Sequence, residues 1–212
     1  MVGIIMSRDA GIGQACADEL GMALGSAAAV VQVHDAGGVA SVDDPVEVLV
    51  TVPAHPVPGV ASRDDQAAFQ LEVQRAVEAV LPGMVARGGG RIVLVVTATG
   101  LPGQTWRDGT GSAMWAMIGL ARSAAREVAA AGVTVNVVRT GLIDDEPSRA
   151  AAAADGTVAE AITAAQRLAP VRRPVVPADV AAAVGYLVSP DASYVTGVVL
   201  PVDGGLTIGQ GT

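Results

Sequence analysis

Lysine is absent from this sequence, in which all thirteen Lys and Arg residues are arginines. Cysteine occurs once, at Cys16, so an internal disulfide is excluded and a reducing cytoplasm is the expected setting. Aromatic residues make up only 2% of the chain, so the core has to be built from Ala, Val, Leu and Ile. No apolar run reaches about 18 residues, which predicts that no segment spans a membrane.

Charge and motif spacing exclude further classes of function. The net charge of −8 and the pI near 4.6 would repel a phosphate backbone, so we expect no nucleic-acid partner. The apolar start, Met1–Met6, lacks the basic residues and the length of a signal peptide. Neither the spacing of metal ligands nor a nucleophile–base set is visible, so we predict no metal site.

Short apolar runs alternate with helical stretches along the whole chain. The predicted strands are Val2–Met6, Ala27–Val33, Val46–Val52, Arg91–Val96, Val133–Val138 and Val198–Val202. The predicted helices run from the glycine turn at 11–13 to Leu24, over Arg63–Arg87, Ser112–Ala131 and Ala178–Val188, with one or two mobile helices in 144–168. The stretch His34–Pro45 is interpreted as a loop. Alternation of this kind predicts an α/β fold, a Rossmann-type doubly wound parallel sheet, with residues 1–212 forming a single domain.

Three stretches of the second half carry a specific resemblance. They read LPGMVARGGGRIVLV, GLARSAAREVAAAGVTVNVV and, nearest the C-terminus, RRPVVPADVAAAVGYLVSPDASYVTGVVLPVDGG. The region from Leu81 to Gly205 resembles the short-chain dehydrogenases/reductases, most closely their 3-oxoacyl-ACP reductase-like branch. The resemblance implies an oxidoreductase scaffold that binds NAD(P) and acts through a Tyr–Lys pair.

The resemblance is poor where the family binds its cofactor. The family's Thr-Gly-x-x-x-Gly-x-Gly turn corresponds to Met6, Ser7, Gly11 and Gly13, so only the last two glycines remain. The family also has a further strand and helices where this chain has only the residues between 33 and 46, which predicts a shortened fold. We therefore expect that Gly11 and Gly13 are a remnant and that this chain binds no cofactor, NAD(P) being bound by an active partner.

The catalytic positions that the resemblance implies hold side chains unsuited to proton transfer. The family's serine corresponds to Thr97, its tyrosine to Thr110, its lysine to Met114 and its asparagine to Phe69. A bias towards arginine codons would have left an arginine at the lysine position, yet a methionine stands there. In the family, the tyrosine phenol donates the proton and the lysine ammonium lowers the pKa of that phenol. Loss of both groups predicts that this chain is a degenerate member of the family with no catalytic residues of its own.

Elements that the family uses for assembly are present. The resemblance implies a dimer or tetramer through helices 63–87 and 112–131 and the C-terminal segment 178–205. We therefore predict a non-catalytic subunit that pairs with and stabilises an active NAD(P)-dependent homologue acting on 3-oxoacyl or 3-hydroxyacyl thioesters.

Two other functions remain open at this point. An active reductase with an atypical proton relay would bind NADPH directly. In a sensor for acyl ligands, the crevice at the family's active-site positions would be lined by Phe69, Met114 and Trp115. The lone loop residues His34, His55 and Asp35 are expected to be solvated. Arg139 could bind an anionic ligand, but a salt bridge at its strand end is the expected arrangement.

Overall fold

Parallel strands form one sheet in the computed structural model, which describes residues 2–8, 10–24, 29–53, 63–97 and 110–208. The strands are β1 (Val2–Ser7), β2 (Ala29–Val33), β3 (Val46–Val52), β4 (Gly90–Thr97), β5 (Val133–Thr140) and β6 (Val199–Val202). Their order across the sheet is β2-β1-β3-β4-β5-β6, and every neighbouring pair is parallel. The chain therefore reverses its direction of winding between β1 and β3, as in a doubly wound fold.

Helices cover both faces of this sheet. They are α1 (Ala10–Leu24), α2 (Ala36–Ala40), α3 (Arg63–Arg87), α4 (Thr110–Val128), α5 (Glu146–Ala154), α6 (Gly156–Leu168) and α7 (Pro177–Val188). One buried apolar cluster joins the sheet to α2, α3 and α4. A second cluster joins the opposite face to α1 and α7. The predicted α/β doubly wound parallel sheet is confirmed.

The strands form because their sequences suit burial on two sides. All six residues of β1 and all eight of β5 are buried. Strands covered on both faces have no solvent-exposed side, so β1 is almost entirely apolar, and even the polar residues of β5 (Thr134, Asn136, Arg139 and Thr140) are buried. The small side chains of α4 let that helix lie close to the sheet, and a 3₁₀ turn over Ala129–Ala131 ends it at Gly132, whose φ of +74° is left-handed.

The chain between β2 and β3 is as short as the sequence predicts, but it is not wholly a loop. The five-residue helix α2 lies in the stretch interpreted as loop, because the Asp35 side chain accepts a hydrogen bond of 2.8 Å from Gly38 N. No further strand forms there, so β2 is an edge of the sheet.

The segment 144–168 forms two helices, α5 and α6. The first begins after Asp145, whose Oδ1 accepts a hydrogen bond of 2.9 Å from Ser148 N. None of the described helices is both long enough and apolar enough to cross a membrane.

Candidate functional site

The carboxyl ends of β1 and β3 lie side by side at the point where the winding reverses. Ser7 pairs with Val52 in register, and the backbone N–H of Arg8 donates a hydrogen bond of 3.0 Å to the Val52 carbonyl. Helix α1 begins at Ala10, directly after this edge. Crevices at such a reversal bind ligands in open α/β sheets, and a helix N-terminus there offers free N–H groups to an anion.

Gly11 and Gly13, the two predicted cofactor glycines, both lie in the first turn of α1. Gly11 is exposed, whereas Gly13 is buried against β1. A Cβ atom at Gly13 would lie 2.6 Å from Ser7 Oγ and 2.8 Å from Ser7 Cβ. Gly13 therefore serves the close packing of helix on strand, and Gly11 is the glycine whose backbone remains open to a ligand.

Arg8 is a feature of this edge that the sequence interpretation missed. Its side chain is exposed, and its guanidinium carbon lies 5.3 Å from the centre of the Phe69 ring, a cation–π distance. The sequence did carry a signal for this residue, because a cation stands directly after the strand that leads into the glycine turn. Arg8 places a positive charge over Phe69, at the same edge of the sheet as the start of α1.

Three of the four implied catalytic positions lie around one small cavity. Phe69, Thr97 and Met114 line it, and each is buried. The remaining lining residues are Pro53, Gln66, Val96, Ala113 and Met117. The fourth position, Thr110, is the first residue of α4, and its side chain lies outside the described residues. The structure thus brings strand β4, helix α3 and helix α4 together around this cavity.

The chemistry of this cavity is that of neutral groups. Its described lining contains no carboxylate, imidazole, ammonium or guanidinium group. Thr97 supplies a hydroxyl, and Met114 supplies an uncharged thioether that fills space. The cavity volume is about 20 Å³, which holds roughly one water molecule. Across the described part of the chain, no group of His, Cys, Asp and Glu side chains is arranged to hold a metal ion.

Other candidates lie away from the cavity. Trp115 is 40% exposed on the outer side of α4, so it does not join Phe69 and Met114. His34 is exposed, and its Nδ1 lies 3.2 Å from the Ser7 carbonyl oxygen, to which an Nδ1–H would donate. Asp35 caps α2. His55 lies outside the described residues.

Arg139 differs from the expected arrangement. It is buried, with 2% of its surface exposed, and its Nη2 donates a hydrogen bond of 2.7 Å to the Thr207 hydroxyl. The ion pairs of the described residues are Arg75–Glu72, Arg149–Asp144 and Arg173–Asp179, so the salt bridge predicted at this strand end is not found among them.

Comparison with known proteins identifies the family. Residues 71–207, more than half of the chain, match the family model described as enoyl-(acyl carrier protein) reductase. The chain belongs to the short-chain dehydrogenase/reductase family. The 3-oxoacyl-(acyl-carrier-protein) reductase MabA of Mycobacterium avium is 38% identical over 137 residues, which are 64% of this chain and 51% of that protein. The chain thus spans about half the length of this curated relative.

Solved structures extend the likeness to nearly the whole chain. An oxidoreductase of the short-chain dehydrogenase/reductase family from Burkholderia thailandensis is 29% identical, with a TM-score of 0.75 over 99% of this chain and 93% of that one. ElxO, solved with NADP bound, has a TM-score of 0.77 and 21% identity over 98% of each chain.

One prediction from the sequence is wrong. We expected that this chain binds no cofactor, but ElxO holds NADP in a fold that matches this one along almost its entire length. The expectation gave too much weight to Ser7 and to the short connection after β2. Neither change removes the parts of the edge that suit a pyrophosphate: Gly11 remains exposed at the start of α1, and Arg8 adds a positive charge.

Proposed function

We propose that this chain is a subunit of a short-chain dehydrogenase/reductase complex that binds NADP(H) at the carboxyl end of β1 but transfers hydride poorly by itself. It assembles with an active homologue that acts on 3-oxoacyl or 3-hydroxyacyl thioesters in the cytoplasm. One observation carries the proposal: Met114 lies buried beside Thr97 in the cavity that the family's lysine would enter, in a chain without lysine.

The start of α1 supports the proposal that the chain binds a nucleotide. The start of α1, with the exposed Gly11 in its first turn, would place the positive end of the helix dipole at the pyrophosphate, and Arg8 would add a charge at the same edge of the sheet. When bound, the nicotinamide supplies or accepts the hydride. The protein's part is then to orient the ring and the carbonyl and to deliver a proton.

Proton delivery is the part that these residues perform badly. The Thr97 hydroxyl can donate a hydrogen bond to a carbonyl oxygen, but it does not ionise near neutral pH. Met114 cannot stabilise an anion that develops on that oxygen. General acid catalysis is worth about 10²–10⁴-fold in rate, so its loss leaves slow turnover even when nucleotide is bound.

Assembly is supported by exposed apolar side chains on the elements that the family uses for contacts. Leu71 and Val85 are 46% and 41% exposed on α3, and they lie about four turns apart, so they share a face. Tyr194 is fully exposed after α7, and Tyr186 is 48% exposed on that helix. A partner chain that covers these elements would bury these apolar side chains.

Co-expression with an intact homologue that has the Tyr–Lys pair tests the assembly. We expect the two chains to co-purify and the complex to have the native mass of a dimer or tetramer. The double substitution Leu71→Asp and Val85→Asp should abolish co-purification, because both charges would be buried at the contact. Each chain should keep its helical circular dichroism signal.

The control is Met22→Asp. Met22 is 71% exposed on α1, outside the proposed contacts, so this variant should co-purify normally. Failure of the unsubstituted chain to retain the homologue, or retention that survives both α3 substitutions, would contradict assembly through α3.

A further inference from the structure

Helix α4 carries an exposed stripe on the side that faces away from the sheet. Its opposite side packs into the buried apolar cluster that covers one face of the sheet. The stripe consists of Ser112, Trp115, Gly119, Arg122 and Arg126, all of which are exposed. These positions are three and four residues apart in alternation, the spacing with which one face of a helix meets another helix. The outer face of α4 therefore has the pattern of a helix–helix contact along its length.

Gly119 lies in the middle of this stripe and of α4. A glycine in the interior of a helix lowers the stability of that helix. A Cβ atom at Gly119 would have no atom of the described residues within 4 Å, so packing within the chain does not require a glycine here. A glycine does allow the backbone of another helix to come closer than a side chain would permit. The position thus suits the crossing point of a second helix.

Trp115 and Arg122 flank this crossing point and are complementary in charge. Trp115 is 40% exposed, and Arg122 is exposed and takes part in none of the ion pairs of the described residues. At 1.5 Å per residue, Trp115 lies about 6 Å to one side of Gly119 and Arg122 about 4.5 Å to the other. A guanidinium is attracted to the face of an indole ring, and Trp and Arg are the side chains that most often dominate protein interfaces.

We propose that two copies of this chain pair through α4 about a two-fold axis at Gly119, with Arg122 of each copy over the Trp115 ring of the other. In that antiparallel arrangement the two side chains differ by only about 1.5 Å in their level along the helices. The stripe supplies both halves of the contact, so the pairing is isologous and closes as a dimer. The homodimer is the state of the chain by itself and does not depend on the homologue of the proposed function.

The native mass of the purified chain without any homologue tests this contact. Sedimentation equilibrium should give twice the 21.0 kDa of one chain. The variant Gly119→Leu should raise the Kd of the dimer at least about tenfold, because the new side chain holds the two helices apart. Since a side chain at Gly119 enters open space in the single chain, the variant should keep its fold and its helical circular dichroism signal.

Mixing two single variants tests the contact between copies. Trp115→Ala and Arg122→Glu should each raise the Kd at least about tenfold, because each homodimer loses both cation–π pairs. A mixed dimer of the two variants keeps one intact Trp115–Arg122 pair. The mixture should therefore dimerise more tightly than either variant alone, and a mixture no tighter than the separate variants would overturn the proposed pairing.

Gly21→Leu is the matched control. Gly21 is also an exposed helical glycine whose Cβ would have no described atom within 4 Å, but it lies on α1. This variant should dimerise like the parent. A monomeric parent, a Gly119→Leu dimer as tight as that of the parent, or equal loss of the dimer in both glycine variants would overturn the proposal. Since the mass is measured without the homologue, its outcome is independent of the co-purification described above.

Discussion

At the scale of single residues, the contact between Ser7 and Gly13 shows how the start of α1 is held against the end of β1. A Cβ at Gly13 would lie only 2.6–2.8 Å from the Ser7 side chain, so helix α1 approaches β1 as closely as a glycine allows. That approach places the first turn of α1, with Gly11, at the end of β1. The family's glycine at the Ser7 position is therefore not required for the helix to reach the strand.

Gly13→Ala should lower the free energy of unfolding by about 1–3 kcal/mol, because the Ser7 hydroxyl can rotate away but its Cβ cannot. Chemical denaturation measures the change. Gly21→Ala is the control on the same helix: no atom lies within 4 Å of a Cβ there, so it should stabilise the protein by up to about 1 kcal/mol through helix propensity. Equal effects of the two substitutions would contradict the close packing at Gly13.

Phe69 and Met114 illustrate what single positions could be predicted from the sequence. The resemblance to the family assigned Phe69, Thr97 and Met114 to one site, and all three line one cavity. The cation–π contact of Arg8 with Phe69 could not be predicted, because it joins the end of β1 to a helix more than fifty residues later. Such contacts depend on the tertiary arrangement and leave no local pattern.

At the scale of elements, α7 depends on a charged pair at its start. Asp179 accepts two hydrogen bonds from the Arg173 guanidinium, at 2.6 and 2.8 Å, and one of 3.0 Å from Val176 N. The Arg173 guanidinium, followed by the Val176 N–H, lowers the pKa of the Asp179 carboxyl below its ordinary value. This pair fixes the connector that precedes α7 and so the position of the C-terminal segment.

The stabilisation from Asp179 is expected to depend on pH. Because the folded pKa is lowered, the contribution is fully present above the unfolded value of about 3.9 and is lost as the pH falls through the lower folded value. Asp179→Asn keeps an acceptor for Val176 N but loses the charge. At pH 7 this substitution should lower the free energy of unfolding by up to about 1 kcal/mol, the range found for partly exposed ion pairs. At a pH below the folded pKa it should not change the free energy of unfolding. Urea unfolding at both pH values checks this, and a difference that persists in acid would contradict the ion-pair account.

Strands and long helices were predicted within a few residues, whereas the short helix α2 was not. Strands β3 and β5 are rich in valine, and nearly all their residues are buried, as in a sheet covered on both faces. Helix α2 was not predicted because five residues are too few to show the helical periodicity of apolar residues. Its start depends on Asp35, and its backbone Ala36 N–H donates a hydrogen bond of 2.8 Å to Glu72 of α3. Such a helix is set by its partners in space.

At the scale of the whole molecule, the proposed subunit role combines the fold of the family with a cavity whose described lining is neutral. The sheet and both helical layers are those of the short-chain dehydrogenase/reductase family. The cavity where the carbonyl would be reduced has a neutral described lining. Retention of one without the other is what a subunit would require if its main task were assembly, with proton transfer left to its partner.

The central claim is tested most directly by one titration of the purified chain alone. NADPH is added while its fluorescence is followed, and a 3-oxoacyl thioester is then added to the saturated protein while oxidation at 340 nm is recorded. We expect saturable binding of NADPH, followed by oxidation about 10²–10⁴-fold slower than in a complex with an intact homologue. Rapid thioester-dependent oxidation by the chain alone, at the rate of that complex, would contradict the account.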